Sequence, residues 1–293
     1  MNYSLAALLK TLVEKGGSDL HITANSPPRI RIDGDLEAVE GPPLSPTETQ
    51  ELCLTALNDE QKRKLAKEKE VDLSFAVKNL ARFRANIFTQ LQTIGGGLRV
   101  VPNKIKTIEG LGLPDITKWL CSLPNGIVLV TGPTGSGKST SLAAMIDHIN
   151  DTRQEHIVTI EDPIEYVHTH KKCIINQRAI GPDTHSFSQA LKSLLRQDPD
   201  VVLIGEMRDL ETIRTALTTA ETGHLVFATI HTNSAVQTLN RIIDVFPEHQ
   251  QGQIRTQLAQ TLAGILSQTL IPGPVSGRVM GMEILIPNSG IRA

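Results

Sequence analysis

Two rhythms of apolar and polar positions divide the chain. Up to about residue 101 the apolar residues recur in short, mixed patterns. Leu5, Leu8, Leu9 and Leu12 fall at helical spacing and predict a helix over 5–13. Ile30 and Ile32 alternate with arginines before an Asp33-Gly34 step, which predicts a hairpin over 30–36. Residues 45–69 read as a helical region: Ser45 stands as an N-cap with Glu48 three residues on, and the tail is rich in Lys and Glu. Residues 71–75 and 81–88 alternate as strands, Gly95-Gly96-Gly97 reads as a breaker, and 98–101 resumes an extended segment. This half predicts an α+β module.

From Gly126 onward, short continuous apolar runs alternate with helical segments. The runs 127–130, 157–160, 201–204 and 226–230 look like strands of a parallel sheet buried on both faces. Helices are predicted over 141–149, 186–196 behind Ser186, 209–219 before Gly223, and 234–246 behind Ser234. The run 249–270 is apolar at Ile254, Leu258, Leu262, Ile265 and Leu266 and predicts one more long helix. An α/β core of this kind holds its ligand beyond the carboxyl ends of the strands. Pro and Gly cluster around 110–114 and 124–126, which places the domain boundary near residue 115. The expected organisation is an N-terminal domain over 1–101, a linker over 102–117 and an α/β domain over 118–293.

Composition narrows the classes. At 293 residues, 40% hydrophobic and 20% charged, the chain is globular and long enough for two domains. A formal charge of −2 and 3% aromatic residues argue against nucleic acid as an electrostatic or stacking partner. Cys53, Cys121 and Cys173 show no CxxC spacing, which argues against a disulfide framework or a zinc site and fits a reducing cytosol. The N-terminus shows no secretory leader, and no apolar run approaches the roughly 18 residues of a membrane span. Membrane association is therefore expected only through a partner.

The chemistry centres on Gly132-Pro133-Thr134-Gly135-Ser136-Gly137-Lys138-Ser139-Thr140. Glycines between a strand and a helix let successive backbone N–H groups face one anion, and the helix adds its positive end. Lys138 is expected to reach the β- and γ-phosphates, and the Ser139 hydroxyl to meet a magnesium ion. Core strands run into polar residues: one into Glu161, Asp162 and Glu165, one into Gly205-Glu206, one into His231-Thr232-Asn233. Glu206 is assigned to orient or activate the attacking water, although Gly205 stands where many relatives of the fold carry aspartate. Glu165, and after it Glu161 and Asp162, are candidates for water-mediated magnesium contacts or a share of the base role. His231 is a candidate reader of the γ-phosphate. His224 follows the helix-ending Gly223, where a capping role serves equally well. Arg84 and Arg99 on strands of the first domain read either as a solvated face or as arginine fingers supplied from the same or a neighbouring subunit. No Asn-Lys-x-Asp guanine-reading segment is present, so ATP is expected over GTP.

With these residues in hand, the chain resembles the secretion-ATPase superfamily of hexameric motors, and within it the retraction motors of type IV pili. Ser18-Asp19-Leu20-His21 and the segment 27–34 look like that family's PAS-like N-terminal domain. The segments 159–166, 203–209 and 223–233 look like its aspartate box, Walker B segment and histidine box. The resemblance implies a RecA-like P-loop NTPase core preceded by a smaller PAS-like α+β domain. It also implies a homohexamer using ATP and Mg2+ with roles on Lys138, Glu165, Glu206, His224, His231, Arg84 and Arg99. It implies twitching motility as the process, an inner-membrane pilus platform protein as partner, and a cytoplasmic place at the inner membrane. The absence of a long N-terminal extension and of a four-cysteine insertion points away from the pilus-extension and type II secretion branches. An accessory retraction ATPase, a nucleic-acid motor of the same fold, and a nucleotide-gated scaffold stand as alternatives. The family continues into a helical region that would begin at Gly290-Ile291-Arg292-Ala293, so that region is expected to be truncated here.

Overall fold

A computed structural model describes residues 3–101, 105–273 and 278–293. The chain divides into two compact units, Met1–Asn103 and Lys104–Ala293.

The first unit packs helices on an antiparallel sheet. α1 (Leu5–Glu14) is capped by Ser4 and buries Leu5, Leu8, Leu9 and Leu12, the residues whose spacing predicts it. β1 (Asp19–Ile22), β2 (Arg29–Ile32) and β3 (Asp35–Ala38) follow, with the β2–β3 turn made by Asp33 (φ 48°) and Gly34 (φ 102°). Positive φ at both central residues is what a two-residue hairpin turn demands. The helical region of 45–69 is two helices, α2 (Pro46–Thr55) and α3 (Asp59–Glu68), each opened by its own capping box. Asn58 and Gln61 bond reciprocally at the second start, which breaks the run. β4 (Glu70–Val77), β5 (Ala81–Gln90) and β6 (Thr93–Val101) complete a sheet of order β3-β2-β1-β6-β5-β4. Gly95-Gly96-Gly97 is not a breaker: it pairs within β6 to both β5 and β1. A Cβ at Gly96 would stand 2.7 Å from Ile87 Cδ1 and 3.1 Å from Cys53 Sγ, so the bare strand lets α2 pack close.

The second unit is built from α4 (Ile116–Ser122), β7 (Gly126–Thr131), α5 (Lys138–Thr152), β8 (His156–Glu161), β9 (Ile174–Ala179) and α6 (Phe187–Leu194). β10 (Val201–Ile204), α7 (Leu210–Glu221), β11 (Leu225–Ile230), α8 (Ala235–Asp244) and α9 (Glu248–Thr261) come next, then β12 (Leu262–Pro272), β13 (Arg278–Leu285) and α10 (Ser289–Arg292). Its sheet runs β13-β12-β7-β11-β10-β8-β9, parallel throughout except for the β12–β13 pair. β7, β10 and β11 are buried at every residue, with apolar cores on both faces, as their unbroken apolar runs require.

Three expectations change here. The helix expected over 249–270 ends at Thr261; Leu262 leaves it (φ −61°, ψ 118°) and β12 pairs alongside β7. A doubly buried strand is apolar at adjacent positions, so Leu262, Ile265 and Leu266 also satisfy a helical spacing. β9 is an edge strand not foreseen in the sequence. The expected linker of 102–117 and boundary near 115 move upstream: Ile108 and Leu113 are buried in the core of the second unit. Residues 102–104 of that linker lie outside the described residues. Among the described residues, no helix is long and apolar enough to cross a membrane.

Candidate nucleotide site

The site grows from the carboxyl edge of the second sheet. β7 ends at Thr131 and α5 begins at Lys138, so 132–137 forms the turn between them. Gly132, Gly135 and Gly137 have φ of 139°, 79° and 89°, a region that L side chains rarely adopt. A Cβ on Gly132 would stand 2.1 Å from the Gln268 carbonyl oxygen and 2.6 Å from Ser136 Oγ. The turn thus closes only with glycine at its first position.

Lys138 is buried, and its Nζ donates to the carbonyls of Gly132 (2.8 Å) and Pro133 (3.0 Å). Burial pushes its ammonium pKa down, while the charges of Glu206 and Glu165 act to raise it. Its Nζ is also 3.5 Å from His231 Nδ1. Pro133, Thr134 and Gly135 face solvent, Ser139 and Thr140 are half-buried, and Thr140 Oγ1 lies 2.8 Å from the Tyr166 hydroxyl.

Parallel pairing brings the other strand ends to the same edge: Ile204 is opposite Ala228, and Ile230 opposite Thr131. Glu206 therefore meets His231, whose Nε2 is 3.2 Å from Glu206 Oε1. Arg208 holds the same carboxylate from Nε (2.6 Å) and Nη2 (2.7 Å). Burial acts to raise the Glu206 pKa; the Arg208 hydrogen bond and the charges of His231 and Arg208 outweigh it and hold the group ionised. The His231 ring thus bridges the two groups, with Nδ1 toward Lys138 Nζ and Nε2 toward the Glu206 carboxylate. Gly205 is needed by the sheet: a Cβ there would stand 3.1 Å from Glu161 Cα and 3.2 Å from the Ile160 carbonyl oxygen.

At the end of β8, Glu161 is buried and accepts from Thr159 Oγ1 (2.6 Å) and Gln177 Nε2 (3.2 Å); burial pushes its pKa up. Asp162 and Glu165 are exposed, and of these Glu165 is near enough for its charge to act on Lys138. A cavity of about 30 Å³ runs beneath Ser139 toward Glu161, Gly205 and Thr229. No group of three or more His, Cys, Asp or Glu among the described residues is arranged to hold a metal ion. A hydroxyl with outlying carboxylates instead suits a hard ion that arrives with phosphates.

The structure thus brings together the glycine-rich turn, Lys138, Glu206 and His231. It does not bring His224 to them. His224 precedes β11, at the sheet edge away from the turn, where its carbonyl accepts from Gly126 N and its Nδ1 lies 3.0 Å from the Thr219 carbonyl. The catalytic candidate is there a terminus-capping residue. Arg84 and Arg99 belong to the first unit, side by side on β5 and β6, with Arg99 Nε bonded to Asp19 Oδ1 at 2.7 Å. Sequence reasoning missed Arg208 on Glu206, Tyr166 on Thr140, and Gln268, whose Nε2 donates to the Ser136 carbonyl at 2.8 Å. An acidic residue two positions before an arginine is a signal for the first; the other two contacts have no local one.

Comparison with known proteins gives concordant results. Residues 2–278 match the family described as type II/IV secretion system protein. PilT, a type IV pilus retraction ATPase of Pseudomonas aeruginosa, is 50% identical over 288 residues, covering 98% of this chain and 84% of that protein. PilU, a type IV pilus ATPase of the same organism, is 46% identical over 280 residues, covering 95% of this chain and 73% of that protein. A crystal structure of the pilus retraction motor PilT with bound ADP has a TM-score of 0.96 and 51% identity, covering 99% of this chain and 85% of that one.

Proposed function

The chain belongs to the type II/IV secretion system protein family, and we propose that it is a motor ATPase that drives type IV pilus retraction and so twitching motility. The observation that carries the ATPase reading is the line Lys138–His231–Glu206, which joins the glycine-rich turn to the ends of two core strands. Identity of 50% to PilT over nearly the whole chain supports retraction as the work done.

In this reading the second unit is a RecA-like core and the first a PAS-like domain. Backbone N–H groups of 132–137 and the start of α5 receive the phosphates, and Lys138 turns from its carbonyls to the β- and γ-phosphates. A magnesium ion would be held by Ser139 and the phosphates, with Glu165 or Glu206 reaching it through water; it would offset phosphate charge. Glu206, kept ionised, orients the attacking water and takes its proton as oxygen bonds to the γ-phosphorus and the bond to ADP breaks. His231 touches both Glu206 and Lys138, so it is placed to sense the γ-phosphate. Arg84 and Arg99 supply cationic charge from the first unit of the same or a neighbouring subunit. The working form is a homohexamer in the cytoplasm at the inner membrane, acting on a pilus platform protein.

Glu206→Gln should bind ATP and lose turnover, and persistent turnover would remove Glu206 from the water-activating role. Deleting the full gene in its host and counting surface pili tests the direction of the motor. More pili with motility lost supports retraction, and bald cells mean assembly. The second reading is a pilus ATPase with an accessory task; PilU, a type IV pilus ATPase, is 46% identical. Unchanged pili on deletion would select it.

A further inference from the structure

Gln268 is an amide buried in an apolar strand. It is 2% exposed, and Ile265 and Leu266 just before it are fully buried core residues. β12 runs parallel to β7 with Ser267 opposite Thr131, so Gln268 comes next, beside Gly132. Its backbone carbonyl occupies the space a Cβ on Gly132 would need, and its Nε2 lies 3.2 Å from where a Cβ on Gly137 would stand. One residue therefore underlies both ends of the glycine-rich turn. The link is made by Nε2, which donates to the Ser136 carbonyl at 2.8 Å.

That bond has a directional consequence. The Ser136 carbonyl and the Gly137 N–H are opposite ends of one planar trans peptide. Holding the carbonyl down onto β12 turns the Gly137 N–H the other way, into the concave side of the turn. The carbonyls of Gly132 and Pro133 are taken instead by Lys138 Nζ, which also lies 3.5 Å from His231 Nδ1. Thr131 Oγ1, Ser136 Oγ and Gln268 Oε1 are buried without a hydrogen-bond partner, so among these polar groups and the Gln268 amide nitrogen it is Nε2 that ties β12 to the turn.

We infer that Gln268 is a positioning residue for nucleotide binding: its side-chain amide fixes the Ser136–Gly137 peptide and so aims the turn's N–H groups at the phosphates. This rests on the ATPase reading. It makes β12, outside the segments 132–140, 159–166, 203–209 and 223–233, part of the phosphate site.

The test is equilibrium binding of ATP and ADP to the full chain by calorimetry, with thermal unfolding in parallel, for the native protein, Lys138→Ala, Gln268→Met and Gln268→Glu. Methionine keeps length and volume but cannot donate. Glutamate keeps shape but sets an acceptor against a carbonyl. Losing one buried hydrogen bond that acts on binding predicts about tenfold weaker binding of both nucleotides for Gln268→Met, and weaker still for Gln268→Glu. A merely structural amide would move the melting temperature and leave the affinity of the folded protein unchanged. If both variants bind like the native protein while Lys138→Ala does not, the inference is overturned and the ATPase reading stands. If the native protein binds neither nucleotide, both fall. Should Gln268→Met not fold, Gln268→Asn carries the same test, because it keeps the amide one methylene short of Ser136.

Discussion

His168 lies 4.0 Å from Asp147, yet burial, helped by the charge of Lys171, pushes its imidazole pKa down to about 4 against the pull of that carboxylate. Between about 6.5 and 4 the unfolded chain therefore binds a proton that the folded chain refuses. Stability from this group is complete above about pH 6.5 and falls as pH drops toward 4, by on the order of 3 kcal/mol. Urea unfolding at pH 7.5 and 5 should show about 2 kcal/mol of this loss, and His168→Phe should flatten it; an equal loss in the variant would assign the slope to other groups. A second residue argument concerns Gly205, where the β8 backbone leaves no comfortable room for a Cβ. Gly205→Ala should cost about 1–3 kcal/mol by overpacking, read from denaturant midpoints. Lys138, Glu206 and His231 were legible in the sequence because each follows a recognisable strand. Gln268 was not, because its contact with Ser136 spans 132 positions and no local pattern reports it.

Elements were legible where their signals are local. Ser45, Ser186 and Ser234 each cap the helix they precede, accepting from the backbone N–H three residues on. Asp209 does the same for α7 and also accepts from Thr212 Oγ1 at 2.8 Å. It lies in the segment that carries Glu206, but its side chain serves the helix. Asp209→Ala should thus cost about 1 kcal/mol of stability, with Asp209→Asn recovering most of it in thermal unfolding. If the alanine variant unfolds like the native protein, the capping bond adds nothing. β12, β9 and β13 were among the elements missed, and for one physical reason. A strand gains its hydrogen bonds from chain far away in sequence, so an apolar run fits either a helix or a buried strand until its neighbour is known. The same pairing gives the β12–β13 hairpin two polar reaches: Gln268 to the turn, and Glu283, whose Oε2 accepts from Ala235 N at 3.2 Å where α8 begins.

At the scale of the whole molecule, the two units own separate cores, one drawn from residues between Leu5 and Leu98 and two from residues between Ile108 and Leu266. The change of rhythm along the sequence reported this division, but Pro and Gly between 110 and 114 misplaced its boundary, because those residues shape a turn in the second unit. Separate cores predict that residues 104–293 fold alone. Every residue placed around the phosphates lies in that fragment, so it should bind ATP within a few fold of the full chain. Arg84 and Arg99 are left behind. They stand opposite each other on neighbouring strands, an unfavourable pairing of like charges offset in part by Asp19. A pair kept at that cost suits an anion brought from elsewhere. If it is the triphosphate, the fragment should hydrolyse ATP at least about a thousandfold more slowly than the full chain, the scale on which arginine fingers act. A full-chain Arg84→Ala/Arg99→Ala variant should reproduce the loss with ATP affinity nearly kept. Turnover by the fragment at the full chain's rate would return both arginines to the role of a solvated strand face.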